Sequence, residues 1–187
     1  PYQEGGCGFD YRQAMGVSDY WFKMLKDLRD EDWNMNVLWH ELTNRRPEES
    51  TVSYVESHDQ ALVGGKTLIF ELADKEMYTD MSRHSTNMII EIAVALHKLA
   101  RLASFGTADG GYLNFMGNEF GHPEWVDFPR EGNNWSYHYS RRQWSLRDNE
   151  GLIYYALAEF DRDMMRMDDQ QMSDSFPEPL YLHNDDK

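Results

Sequence analysis

The chain is 187 residues long, enough for the core of one ordinary domain, and its 33 acidic against 18 basic residues leave a formal charge of −15. That balance argues against a phosphate backbone as partner, which demands a clustered basic surface, and it disfavours anionic membrane surfaces. A neutral, polyhydroxylated ligand meets no such repulsion, and the 14% aromatic content supplies flat side chains for a core or for stacking on sugar rings or bases.

In chain order, the first twelve residues are glycine-rich at Gly5, Gly6 and Gly8 and run into Phe9-Asp10-Tyr11-Arg12, read as a short strand or loop ending in polar groups. Ser18 is a plausible N-cap for an amphipathic helix over 18–29, with Tyr20, Met24 and Leu28 recurring at helical spacing. A shorter helix is expected over 36–42, ended by Asn44-Arg45-Arg46-Pro47. Residues 50–54 then alternate polar and apolar side chains as on a half-buried strand, and 61–78 is expected to be a loop and a short helix.

The clearest helix covers 85–105, with Ile89, Ile92, Ala93, Leu96, Leu99, Ala100 and Ala103 forming one stripe and Gly106 as its stop. A strand is expected over 112–116, a loop rich in Trp and Tyr over 125–144, and a last helix over 148–167. The acidic tail 168–187 reads as a linker that leads to a strand at Leu180-Tyr181-Leu182. Strand, polar turn and helix in repeated alternation predict an α/β fold. Only two or three strands are present, fewer than a whole barrel of about 250 residues contains, so the chain is expected to be part of a larger sheet or barrel.

Cys7 is the sole cysteine, so no internal disulfide forms and a reducing compartment such as the cytoplasm is expected. No apolar run approaches the roughly 20 residues of a membrane helix, and no signal-peptide pattern opens the chain. Because Pro1 rather than Met stands first, an upstream segment is expected.

Several motifs are weighed and set aside. His40-Glu41-Leu42-Thr43-Asn44 begins like a zinc-protease helix, but Asn44 stands where the second histidine must ligate. Gly64-Gly65-Lys66-Thr67 resembles the end of a phosphate loop, yet Gln60 occupies the place of its first glycine. His58, His84, His97, His122 and His138 match no compact metal spacing, so no metal and no cofactor is assigned, and His97 reads as a hydrogen-bonded structural histidine.

Glu56, His58 and Asp59 differ from these because they follow one strand end directly. Ligands of α/β barrels meet the carboxyl ends of the strands. Two carboxylates and an imidazole there suit the binding of sugar hydroxyls, and such bonds tighten as oxocarbenium character develops. A second polar cluster, from Gly117 through Glu119 to Trp125, follows the later strand.

The stretch Tyr54-Val55-Glu56-Ser57-His58-Asp59-Gln60-Ala61-Leu62-Val63-Gly64 resembles the fourth conserved region of the α-amylase family of glycoside hydrolases. Glu-Ser before His-Asp-Gln makes it similar to the 1,4-α-glucan branching enzymes in particular. Gly8-Phe9-Asp10-Tyr11-Arg12 resembles the sixth barrel strand of that group. Asp30-Glu31-Asp32-Trp33-Asn34-Met35 with Thr43-Asn44-Arg45-Arg46 resembles the approach to the seventh. Leu113-Asn114-Phe115-Met116-Gly117-Asn118-Glu119-Phe120-Gly121-His122-Pro123-Glu124-Trp125 resembles the end of the eighth.

The resemblance implies the C-terminal part, about the last three βα units, of a (β/α)8 TIM barrel over 1–167, with 168–187 leading into a C-terminal β domain. It implies transfer of α-1,4 glucan chains into α-1,6 branches by a retaining mechanism. Asp59 matches the transition-state-stabilising carboxylate and His58 a sugar-hydroxyl ligand, with Glu56, Gln60, Glu119 and Trp125 as further substrate-binding candidates. The segments that carry the family's nucleophilic Asp and acid/base Glu have no counterpart here, and neither Glu56, Glu119 nor Asp10 matches them. The chain alone is therefore expected to be inactive. Its exposed strand edges and apolar faces are expected to drive self-association or pairing with missing barrel segments. The alternative reading is a non-catalytic glucan-binding or self-associating module, with Trp125, Trp135 and Tyr137 as stacking platforms.

Overall fold

The computed structural model describes residues 8–62 and 65–167. Its main elements are β1 (Tyr11–Gln13), α1 (Met15–Phe22), α2 (Met35–Thr43), β2 (Ser50–Ser53), α3 (Leu68–Ala73), α4 (Met88–Gly106), β3 (Gly111–Tyr112), α5 (Trp144–Arg147) and α6 (Ile153–Met167). The strands lie side by side in chain order and run parallel, with Arg12 opposite Thr51 and Ser53 opposite Tyr112. Parallel neighbours require helical crossovers, which the intervening helices provide. The expected α/β alternation is present. Cys7, the tail 168–187 and the strand expected at 180–182 lie outside the described residues.

Local chemistry explains where the helices begin. Asn34 caps α2 through its side-chain oxygen, which accepts from the amides of Asn36 (3.0 Å) and Val37 (3.1 Å). Asn87 does the same for α4 at the amide of Ile89, so that helix starts at Met88 rather than near Ser85. Ser18 is not a cap. The chain turns straight out of β1, with the amide of Ala14 bonded to the carbonyl of Val52 (2.9 Å), and α1 begins at Met15. Ser18 becomes a buried interior position of that helix, which continues through Lys23–Asp27 as a wider π-type turn.

Two other boundaries differ from expectation. β3 has two residues, not five, because after Leu113 donates to Ser53 (2.9 Å) the side chain of Asn114 is drawn to Arg101 and Asp161. The last helix starts at Ile153, after the separate turn of α5.

The core forms two clusters on either side of the α3–α4 contact. Trp21, Met24, Val55, Leu68 and Ala100 belong to one, and Ile69, Ile90, Ala93, Phe120 and Tyr154 to the other. Trp21 also donates its indole N–H to Ser104 Oγ (2.8 Å), tying α1 to α4 inside the core. The stripe expected on α4 needs correction. Its buried face runs through Ile90, Ala93, His97, Ala100, Arg101 and Ser104, while Ile89, Ile92 and Leu99 face solvent with Met88 and Leu102. Ala93 and Ala100 of the expected stripe are buried and Leu96 and Ala103 half-buried, but half of the buried face is polar, so apolar periodicity set the stripe off-centre.

Arg101 is buried against Asp161 of α6 in an ion pair, and Asn114 donates to the same carboxylate (3.2 Å). Losing one partner of such a pair strands the other charge in the core. Asp161→Ala is expected to destabilise the fold by about 3–5 kcal/mol in denaturant unfolding, whereas Asp163→Ala, on the exposed side of α6, should stay within about 0.5 kcal/mol. Equal effects would mean that the buried network contributes nothing special. Among the described residues no helix is long and apolar enough to cross a membrane.

Candidate functional site

The alternation of β2 ends at Ser53, and the next residues diverge in direction. Tyr54 and Val55 stay buried, Glu56 enters the core at 3% exposure, and His58 and Asp59 emerge with side chains 43% and 60% exposed. The exposed pair is ordered by its neighbours. His58 Nε2 lies 3.1 Å from Asp59 Oδ1, and the imidazole ring packs 5.5 Å from Phe115 and edge-on at 5.8 Å to Phe128. Phe115 comes from the segment after β3 and Phe128 from the aromatic-rich loop, so three chain segments meet at this imidazole.

The backbone beneath the pair is closed by Ser57 and Gln60. The amide of Ser57 donates to Gln60 Oε1 (2.8 Å), the Ser57 hydroxyl donates to the same oxygen (3.2 Å), and the amide of Asp59 donates back to Ser57 Oγ (3.2 Å). Gln60 thus holds the turn that presents Asp59. The following residues bridge to the aromatic loop, with the amide of Val126 bonded to the carbonyl of Ala61 (2.6 Å).

Glu56 has a different environment. Its Oε2 accepts the first amide of α3, at Leu68 (2.7 Å), and its backbone carbonyl accepts Asn118 Nδ2 (3.3 Å). Oε1 lies 3.9 Å from Nε2 of the buried His97, longer than a hydrogen bond. Burial pushes the Glu56 carboxyl up to about 7 against the pull of the Leu68 amide and Arg101. Burial, with the charge of Arg101, holds His97 well below the ordinary imidazole range, so its ring is neutral. His97 is buried, but against the expectation of a hydrogen-bonded imidazole neither ring nitrogen has a hydrogen-bond partner among the described residues.

The second cluster forms a tight turn after β3. Gly117 (φ 103°) and Gly121 (φ 70°) take left-handed conformations, and a Cβ on Gly117 would meet Arg142 Cδ at 2.6 Å. Glu119 Oε2 accepts the amide of Gly117 (2.6 Å), and burial raises its carboxyl. His122 is fully buried beside Arg142, with Nδ1 3.1 Å from Nη1, and burial and that charge push it down to about 4. Trp125 stacks on Tyr139 at 4.3 Å and 26°.

Of the residues singled out from sequence, His58 and Asp59 are brought together at the surface and Gln60 supports them. Glu56 lies inside, Glu119 serves its own turn, and Trp125 packs on a neighbour. Phe115 and Phe128 were missed. Their contact with His58 is tertiary, and the only sequence signals were that Phe115 ends the strand expected over 112–116 and that Phe128 lies in the aromatic-rich loop. Lys66, from the discarded phosphate motif, is paired with Asp74 (2.6 Å). Among the described residues no three His, Cys, Asp or Glu side chains converge as a cation site.

The arrangement defines an α/β protein whose polar and aromatic side chains gather beyond the carboxyl ends of a parallel sheet, where ligands of such sheets bind. No family model matches the chain. It is 54% identical to a 1,4-alpha-glucan-branching enzyme of Rhizophagus irregularis, over 100% of this chain and 28% of that protein. It is 58% identical to the 1,4-alpha-glucan-branching enzyme of Yarrowia lipolytica, over 90% of this chain and 25% of that protein. Against the one of Solanum tuberosum it is 52% identical over 91% of this chain and 20% of that protein. The chain is thus related, over its whole length, to the 1,4-alpha-glucan-branching enzymes, and it spans about a quarter of the length of these curated relatives.

The raised carboxyl of Glu56 fixes a sign for pH dependence. The stability it contributes is complete below pH 4.5 and is lost as pH rises to about 7, because the unfolded chain releases this proton first. His122 acts in the opposite sense, its contribution being lost as pH falls from 6.5 to about 4. Comparing Glu56→Gln with the wild type isolates the first. The variant is expected to gain relative stability between pH 4.5 and 7, by up to about 1.4 kcal/mol per unit, in parallel urea titrations. A constant difference across that range would sink the assignment.

Proposed function

We propose that the chain is the C-terminal part of the catalytic (β/α)8 barrel of a 1,4-α-glucan branching enzyme, residues 1–167 forming its last three βα units and 168–187 leading into a C-terminal β domain. The enzyme cuts an α-1,4 glucan and rejoins the fragment through an α-1,6 bond by a retaining mechanism. The observation that carries this reading is the exposed His58–Asp59 pair, 3.1 Å apart, set on Phe115 and Phe128 just past the end of a parallel strand. The identity to proteins named for that activity supports it.

In this reading Asp59 grips substrate hydroxyls and stabilises the positive charge that develops on the sugar, and His58 holds a neighbouring hydroxyl. Gln60 positions Asp59 through Ser57, and Glu56 positions the strand end from inside the core. Glu119 and Trp125 take part through the turn and the loop that border the pair. Nucleophile and acid/base come from other segments of the barrel, so the 187-residue chain is inactive by itself.

A second reading, a self-associating module derived from the same barrel, is favoured by one observation: α4 turns Met88, Ile92, Leu99 and Leu102 outward. Sedimentation of a compact monomer at all concentrations would argue against it.

The direct test of the first reading uses a polypeptide of the relatives' full length that carries this segment. Asp59→Ala is expected to lower branching, followed as iodine-colour loss at constant reducing ends, by at least about 100-fold. Because Asp59 is 60% exposed, its thermal stability should change little. Full activity in that variant would overturn the role. The isolated chain incubated with amylose should change neither iodine colour nor reducing ends.

A further inference from the structure

The aromatic loop divides into side chains that pack and side chains that do not. Trp125 lies on Tyr139, and Trp144 packs 5.5 Å from Phe120. Trp135 and Tyr137, by contrast, remain 66% and 62% exposed. Single exposed aromatics are ordinary, but the backbone beneath Trp135 is not. Asn134 (φ 54°) and Trp135 (φ 58°) are consecutive left-handed residues without glycine. Asn adopts that region readily, whereas a bulky aromatic residue does so only when its surroundings compel it.

The surroundings here are specific. Asn133 Oδ1 accepts the amides of Arg130 (3.0 Å) and Ser136 (3.2 Å), while its Nδ2 donates to the carbonyl of Phe128 (3.0 Å). The amide of Trp135 donates to the carbonyl of Arg130 (2.9 Å), and Arg130 is itself anchored on Asp127 (3.0 Å). A network of this kind holds an indole out in water, where it adds nothing to the core. The same Asn133 that sets the turn is bonded to Phe128, the ring that packs against His58.

We propose that Trp135 and Tyr137 form an auxiliary platform on which a neutral α-glucan chain stacks, outside the His58–Asp59 pair and joined to it through Asn133 and Phe128. The inference rests on the glucan reading above. The apolar C–H face of a pyranose covers an indole or phenol ring and recovers the exposed apolar surface, while sugar hydroxyls stay in water. Charge favours the same ligand class. Residues 124–144 carry three acidic and three basic side chains and so offer an anionic chain no net attraction, and the −15 of the whole chain repels it where a neutral chain is not repelled. Such a surface retains a long chain near the reacting pair without touching the bond that is cut.

The test is affinity electrophoresis of the 187-residue chain through gels containing soluble amylose, with Trp135→Asn, Tyr137→Ala and Asp59→Ala alongside. Asn removes the ring while accepting the left-handed backbone, so Trp135→Asn should keep or raise the melting temperature. It is expected to weaken amylose affinity about tenfold, with a smaller loss for Tyr137→Ala. Wild-type mobility unaffected by amylose, or Trp135→Asn within twofold of wild type, overturns the platform. So does Trp135-dependent dimerisation in sedimentation equilibrium that amylose leaves intact, since a second copy would then occupy the surface. Loss of binding in Asp59→Ala alone removes the platform and leaves the His58–Asp59 reading standing. Loss in Trp135→Asn, with full branching by Asp59→Ala in the longer enzyme, does the reverse.

Discussion

The position of Glu56 is the constraint on which the rest of the site depends. One residue joins three elements, because its carboxylate receives the first amide of α3 and its backbone carbonyl receives Asn118 from the turn after β3. A buried carboxyl that satisfies a helix's leading N–H is held in one orientation, since any other leaves two polar groups unpaired. Once Glu56 points inward, the chain has two residues in which to reach the surface. Ser57 and Gln60 close the turn that allows it, and His58 and Asp59 arrive outside as neighbours. The polar surface pair is a consequence of the polar group beneath it.

That division was not legible in the sequence. Glu56 and Asp59 are carboxylates three positions apart in one motif, and nothing in their identity says which goes in. Strand alternation would have decided, but β2 ends at Ser53 and the period of two ends with it. The strand over 50–53 and the α/β alternation could be read because they rest on local pattern. The contact of His58 with Phe115 and Phe128 spans up to 70 residues and leaves no such trace.

The long helix α4 teaches a related lesson. Its stop at Gly106 was plain and its start was read three residues early, yet its buried face was only partly identified because a hydropathy stripe counts only apolar side chains. His97, Arg101 and Ser104 lie on the inner face, each facing a polar group of another element: Glu56, Asp161 and Trp21 in turn. Ile92 and Leu99 mark the outer face. Where a core contains a polar network, periodicity names the helix correctly and can still rotate it.

The same network has a consequence for how α4 and α6 can meet. Two helices packed through aliphatic side chains alone have near-equivalent arrangements one turn apart, since ridges fit successive grooves almost equally well. Arg101 removes that degeneracy. Sliding α6 by a turn in either direction would carry Asp161 away and leave a guanidinium enclosed without a counter-charge, with Asn114 deprived of its acceptor as well. Only one vernier setting of the two helices remains open, and it is the one that also seats Phe120 and Tyr154 against Ile90 and Ala93. The charged pair therefore acts less as an adhesive than as a key that rejects misaligned packings.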